Sequence, residues 1–571
     1  MSWFCGVIGN FNKNDTDYFE DFRTNTSKNI CKENFYLLIG QKDINICFKA
    51  KTADEGFCIS GIGLEKTERG FKLLTSETWS NFCTSIEGVD LPDGHYCGVI
   101  WKNNKITFFN DPLGIKYIYI LEKNNKVYFS NRLDILTKTI TKFSIDLNEL
   151  MPAWFLTAKT STKSLITNIT RLNGIFEFIN GKSVKNLQHN WLPNFTNKAT
   201  VLDFNITLKN ILQLFINNNK DLYLGFTSGL DSRLLLSYLL KNKENNWGTF
   251  TFGNNELPDV KYSKIISDKL NFRHLIYDYE VPSTDQLISE LTKYICYTGT
   301  SIPISEMIQF GMHKHFADNN KLMVDGSYGE IYRRQMLNKL LLLGKNDLLN
   351  KDSQNISKYV KSSRPNIFNT DFASIINNSI NASILEIFDL LPPVQELGFE
   401  NWLDLYAIKV KLPNTTALSQ QCLDSICTAY TAFIQPSLLN IGLLLPFKER
   451  KNGKMFRSLI KQNSPELTKF PLVKNQAAYP YRFGNKASWL WTKAKGKIVP
   501  PYKWNLNIQV LDLLKGYIND KIDSSIVKQN NIYNHQLIKQ AVEEYYKGNT
   551  SYAEIVEWFI TFELWQDSLR K

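Results

Sequence analysis

LYLGFTSGLDSRLLLSYL, residues 222–239, joins a short apolar run to leucines at helical spacing through Thr-Ser-Gly-Leu-Asp-Ser. The first run has the length and composition of a buried strand, and the leucines mark the face of a helix. In an open parallel sheet the turn between two such elements is a favoured anion site. Free N–H groups at the helix start, with the helix dipole behind them, suit a phosphate or pyrophosphate. Ser228 and Ser232 can add hydroxyl donors, and Gly229 lets the backbone come close to a ligand. Asp231 makes chemical sense beside phosphates if magnesium, which favours a few carboxylates plus phosphate oxygens, sits between them. An ordinary capped turn uses the same residue types. The position directly after a buried strand favours the ligand reading.

Working outward, further strands read at WGTFTFG, FRHLIYDYE and KLMVDGS, each separated from the next by a helical stretch. Strands alternating with helices imply a parallel sheet covered on both faces. Beyond residue 335 almost everything reads as helix. Residues 1–195 are different: short runs such as FCGVIGNF, NFYLLIG, KITFFN and KVYFSN, rich in β-branched and aromatic residues, alternate with Asn, Gly, Lys and Asp turns. That pattern predicts an antiparallel sheet domain. The chain of 571 residues is too long for one ordinary core. Two domains follow, 1–195 and 196–571.

Composition narrows the class. Hydrophobic residues make up 43% of the chain and charged residues 21%, which suits a compact fold. The formal net charge of +12 is spread among asparagines with no dense basic block, so nucleic acid is not the expected partner. No run of apolar residues is long enough for a membrane span, and the N-terminus lacks a signal-peptide pattern, so the expectation is a cytoplasmic protein. Nine cysteines include no C-x-x-C pair, which argues against a zinc site and a disulfide framework. His313 and His315, in an H-x-H on a predicted helix, point apart and, like His274, read as core or solvated histidines.

FTSGLDSRLLL resembles the pyrophosphate loop, serine-glycine-glycine-x-aspartate-serine, of the ATP pyrophosphatase fold, and within it the asparagine synthetase family. That family's relatives include β-lactam synthetases and lasso-peptide macrolactam cyclases. Anchored on Gly-Leu-Asp-Ser, Ser228 stands in the place of the first glycine and Thr227 in that of the first serine. Three further segments are similar in the same order: TFTFGNNELPDVKYSKIISDKLNFRH, KYICYTGTSIPISEMIQFGMHKHF and LMVDGSYGEIYRR. The resemblance implies that Thr227, Ser228, Gly229, Leu230, Asp231 and Ser232 hold the β,γ-pyrophosphate of ATP, with Asp231 on magnesium. It implies that Thr251, Phe252 and Gly253 lie near adenine or ribose, and that Glu330 is the second magnesium-side carboxylate. Tyr328 and Gly329 depart from the family, which more often has small residues and an aspartate there. SPELTKFPLVKNQAAYPYRFG resembles the stretch that supplies the catalytic lysine, here Lys474, with Gln476 two residues on.

The segment DGHYCGVIWKNNKITFFNDPLGIKYIYILEKNNKVYFSNRLDIL looks like the latter half of a class II glutamine amidotransferase domain, with Asp111, Pro112, Gly114 and Lys116 in its core motif. The implied architecture is an N-terminal antiparallel β-sandwich of the Ntn-hydrolase type, followed by an α/β ATP pyrophosphatase domain with a helical C-terminal extension. Such amidotransferases use an N-terminal cysteine whose own α-amine helps move the proton. Here the first cysteine is Cys5, behind Met-Ser-Trp-Phe, and the arginine-glycine-proline-aspartate and asparagine-glycine-glutamate segments of working glutaminases are absent. Cys5 therefore reads as a buried strand cysteine.

The expectation is an AMP- and pyrophosphate-forming amide ligase acting through an acyl-adenylate, with ATP and magnesium and a small-molecule or peptide carboxylate as substrate. The nucleophile would be ammonia or a substrate amine, the latter giving a macrolactam, and a biosynthetic partner protein fits such a role. The alternatives are a glutamine-hydrolysing asparagine synthetase processed at Cys5, and a nucleotide-binding protein that has lost turnover.

Overall fold

The computed structural model describes residues 3–40, 46–52, 54–68, 70–84, 86, 90–140, 142–188, 191–217, 220–242, 246–278, 282–318, 320–474, 476–498 and 505–570. Two antiparallel sheets occupy the N-terminal part, one of six strands and one of seven. In the first, the strand Trp3–Ile8 lies between Phe35–Gly40 and Lys126–Ser130. All six of its residues are buried, because it is covered on both faces. Phe4 and Ile8 point into the sandwich, with Phe129 from the neighbouring strand and Val99, Trp101 and Phe108 from the facing sheet. Trp3, Cys5 and Val7 point the other way, into a core that continues through the rest of the chain. This period of two is what strand geometry requires.

The C-terminal part is built on a five-stranded sheet that is parallel throughout. In chain order its strands are Asp221–Gly225, Trp247–Phe252, His274–Tyr277, Lys321–Asp325 and Ala429–Thr431. In space they run third, second, first, fourth, fifth, so the direction of winding reverses between the first and fourth strands. Ligands bind outside the carboxyl ends of such strands, at that switch point. The four strands expected from sequence are present. The expectation of helix beyond residue 335 needs two corrections, the fifth strand and a hairpin of Leu472–Lys474 with Ala477–Tyr479. Strands of three residues carry no legible period, and their neighbours are helical.

The two parts share buried polar and aromatic contacts. Asp111 turns its segment by accepting the backbone N–H groups of Leu113, Ile115 and Lys116 at 2.9–3.1 Å. The Lys116 ammonium then reaches the carboxylate of Asp424, on the helix Thr416–Asp424, at 2.8 Å. Gln420 donates to Asp424 at 2.9 Å, and His95 Nε2 lies 3.4 Å from it. Elsewhere Trp154, fully buried, packs edge-on against Trp558 and Phe562 of the last helix, at 5.2 and 5.7 Å between ring centroids. No helix among the described residues is long and apolar enough to cross a membrane.

Candidate functional site

The first parallel strand ends at Gly225, and the helix Leu230–Leu239 begins with Gly229 as its N-cap. Between them Ser228 takes φ +52°, the left-handed region in which glycine is comfortable and serine is not. Its side chain is buried, and its hydroxyl lies 3.2 Å from that of Ser263 on the next helix. Ser228 thus contributes loop shape and packing, while Thr227 is exposed. The Thr227 N–H donates to the Ser232 hydroxyl at 3.3 Å, which closes the loop across the helix start. Leu230 is buried beneath the turn.

Arg233, one helical position beyond the quoted motif, is fully buried and organises the site. It donates to the carbonyls of Ser228 (3.0 Å), Leu467 (3.1 Å), Phe470 (2.9 Å) and Pro471 (2.6 Å). The Val473 N–H adds a bond of 3.4 Å to the Ser228 carbonyl. Together these bonds fasten the hairpin that carries Lys474 to the loop. Burial lowers the Lys474 pKa, and so does the nearby Arg333 guanidinium, while Glu330 and Asp231 oppose the shift. Sequence reading missed Arg233 because an arginine within a helix is usually solvent-facing.

Asp231 is on the first turn of the helix, at the switch point. Its Oδ2 accepts from Arg333 Nη2 at 2.5 Å, and both side chains are largely buried. Its Oδ1 is buried and has no hydrogen-bond partner. Burial pushes the Asp231 carboxyl up to about 6, with Arg333 pulling against the shift and Glu330 adding to it. Asp325, at the end of the fourth strand, is also pushed up, by burial and by Glu330, while the Ser327 N–H that it accepts opposes the shift. Asp231, Glu330 and Lys474 are therefore electrostatically coupled to one another, together with Arg333, which sequence reading did not single out.

Thr251 and Phe252 end the second strand, and Gly253 follows it. Thr251 spends its hydroxyl on the Phe226 carbonyl, and the half-buried Phe252 ring lies against His313 at 4.7 Å. Gly253 has φ +120°, and a Cβ there would stand 2.3 Å from Leu257. Through the Thr251–Phe226 bond this segment flanks the loop. His315 stacks on Tyr277 at 4.1 Å, and His274 Nδ1 bonds the Thr249 hydroxyl at 2.7 Å.

The expected magnesium site between Asp231 and Glu330 does not fit these residues. Magnesium demands near-octahedral oxygens at about 2.0–2.1 Å. One oxygen of Asp231 is taken by Arg333 and the other is buried against Gly329, whose Cβ, if it had one, would stand 2.7 Å from it. Among the described residues no group of three or more His, Cys, Asp or Glu is placed to hold a metal ion.

In the N-terminal part Cys5 is in mid-strand, its Cα paired with those of Leu38 and Ser130, and Trp3 and Phe4 are already in the ladder. Its thiol is fully buried, and burial pushes its pKa well above the ordinary value.

No family model matches the chain, and no curated protein matches it. Among solved structures it is similar to the allosteric regulatory enzyme of purine biosynthesis, at 8% identity and a TM-score of 0.21, over 48% of this chain and 74% of that one. It is also similar to the glutamine phosphoribosylpyrophosphate amidotransferase from B. subtilis complexed with ADP and GMP, at 10% identity and a TM-score of 0.19, over 58% of this chain and 71% of that one. Likenesses at these scores carry no argument about this chain's chemistry.

Proposed function

We propose that this chain is an ATP-dependent amide ligase that forms AMP and pyrophosphate. A substrate carboxylate attacks the α-phosphorus of ATP, giving an acyl-adenylate and releasing pyrophosphate. An amine then attacks the acyl carbon, the amide bond forms, and AMP leaves with the bonding electrons of the acyl–oxygen bond. The amine is ammonia or the substrate's own amino group; in the latter case the product is a lactam, a macrolactam where the substrate is a peptide.

The observation that carries this reading is the convergence of the Thr227–Ser232 loop, Lys474 and Arg333 beyond the carboxyl ends of the first and fourth strands. Adenylation needs little covalent help from the protein. It needs the phosphates positioned and the charge that develops on the leaving pyrophosphate neutralised. The loop N–H groups and the Ser232 hydroxyl serve the first need, and the Lys474 ammonium, anchored through Arg233, serves the second. The buried Cys5 thiol does not support glutamine as the nitrogen source, because the thiolate is the nucleophile and burial suppresses it.

The test is pyrophosphate release from ATP in the presence of aspartate with ammonia, aspartate with glutamine, or small-peptide carboxylates, with Asp231→Ala as control. Carboxylate-dependent pyrophosphate that is lost in Asp231→Ala supports the reading, and the active carboxylate defines the substrate class. A second reading, a nucleotide-binding protein without turnover, is favoured by the Asp231–Arg333 pair, since that pair neutralises the loop's only carboxylate. Nucleotide binding with no pyrophosphate from any carboxylate would select it.

A further inference from the structure

This inference rests on the phosphate-loop reading above and concerns what balances the phosphate charge. We propose that Arg333 is the resident cation of the loop: its guanidinium stands beside Asp231 where a divalent ion would otherwise sit, so pyrophosphate or a nucleotide's terminal phosphates bind without a protein-held metal.

Three features of the Gly329–Arg333 turn lead there. First, a Cβ at Gly329 would lie 2.5 Å from Asp231 Cγ and 2.7 Å from its Oδ1. The Asp231 carboxylate fills that space, so no second carboxylate can project from position 329. Second, Arg333 is built in rather than draped over the surface. Its Nη2 bonds Asp231 at 2.5 Å, and its Nη1 bonds Gln335 Oε1 at 2.9 Å. Gln335 in turn donates to Asn485 at 3.1 Å. The Arg333 stem passes Gly453, where a Cβ would stand 3.3 Å from Arg333 Cδ. Third, Arg333 Nη1 and Nη2 each carry a second N–H beyond the bonds to Gln335 and Asp231, and the side chain keeps 12% of its surface exposed, which leaves the guanidinium donors for a ligand.

The neighbouring Arg334 shows that the two arginines are not interchangeable. It takes φ +51° and turns into a different buried cluster, with Asp404 at 3.4 Å, which Arg450 also reaches at 2.6 Å. Arg334 therefore serves the core, and Arg333 is the arginine left for the loop. A guanidinium presents several donors in a rigid plane matched to phosphate oxygens, and it never loses its charge in the working pH range. It can hold Asp231 and Gln335 through one N–H each and present the remaining N–H groups of its terminal nitrogens to phosphate.

The test is calorimetric titration of the full chain with inorganic pyrophosphate and with ATP, each in EDTA and in magnesium. Binding of pyrophosphate in EDTA to within about threefold of its affinity in magnesium is the expected result. Arg333→Ala should weaken binding in EDTA by about tenfold to a hundredfold, and Arg333→Lys, which keeps the charge but not the fork, by less. Binding by the unaltered chain only when magnesium is present would overturn the proposal, and that comparison needs no variant to fold. Pyrophosphate bound in EDTA while no carboxylate releases it from ATP would sink the ligase reading and leave Arg333 in its role. Failure of both ligands to bind under either condition would remove the phosphate site and both proposals with it.

Discussion

The Arg233 guanidinium donates to the carbonyl of Pro471 at 2.6 Å and so ties the helix behind the phosphate loop to the segment leading to Lys474. Its four carbonyl partners come from two stretches more than 230 residues apart. Arg233→Lys keeps the charge but cannot span four acceptors in one plane. We expect carboxylate-dependent pyrophosphate release to fall by about a hundredfold, the scale for a misplacement of about 1 Å. Nucleotide affinity should change much less, which isothermal titration would show. An equal loss of both would mean that Arg233 merely holds the fold.

Lys474 offers a sharper chemical test. Lys474→Ala removes the ammonium but leaves the loop and Arg333, so the release rate should drop by about a hundredfold or more while ATP still binds. Burial and Arg333 lower the Lys474 pKa. The rate of the unaltered chain should therefore decline as pH rises through a value below the ordinary lysine range. A pH–rate profile flat to the alkaline limit of stability would remove Lys474 from the mechanism.

Ser228 lies in the left-handed region at φ +52°. A non-glycine residue there costs about 1–2 kcal/mol, which the contact with the Ser263 hydroxyl partly offsets. Ser228→Gly should leave stability within about 1 kcal/mol of the parent, since strain relief and the lost hydrogen bond nearly cancel. Ser228→Val, β-branched and unable to reach Ser263 with a hydrogen bond, should cost about 2 kcal/mol or more by urea unfolding and should also weaken nucleotide binding.

The Lys116–Asp424 pair tests the join between the two parts. Asp424→Asn leaves the Lys116 ammonium buried without its counter-charge and should cost about 3–5 kcal/mol. Burial alone would raise the Asp424 pKa, but the Lys116 ammonium and His95 pull it below the usual carboxylate value. Its stabilisation is therefore complete above the unfolded value and is lost as pH falls through the folded one. Thermal unfolding from neutral pH down to about pH 3 should show the parent losing stability on acidification and Asp424→Asn losing less. Parallel slopes for the two proteins would exclude Asp424 as a source of the acid sensitivity.

Cys5 should be inert in the folded protein, because burial holds its thiol protonated. Iodoacetamide at neutral pH should label the exposed Cys31 and spare Cys5, as peptide mass mapping would reveal. Rapid labelling of Cys5, or glutamate production from glutamine, would reopen the glutaminase reading.

The strand before Thr227, the loop and the helix after it were legible because each is a local pattern: an apolar run, turn residues, then leucines at helical spacing. The same holds for Trp247–Phe252, His274–Tyr277 and Lys321–Asp325, and for the period-two alternation around Cys5. The strand Ala429–Thr431 and the hairpin at Lys474 were not legible, since three residues carry no period and pair only because the sheet edge and the loop are already in place.

The sequence by itself determined a phosphate-type loop at a strand-to-helix seam, a parallel-sheet half and an antiparallel half, because hydrophobic periodicity and turn chemistry are short-range properties. Only the tertiary structure decided which charges meet at that loop. Arg233 faces carbonyls more than 230 residues away, and Arg333 reaches across 102 residues to Asp231. No local pattern separates Arg333 from Arg334 beside it; burial and partner geometry do, because a buried charge persists only where a counter-charge or an acceptor has been brought to it.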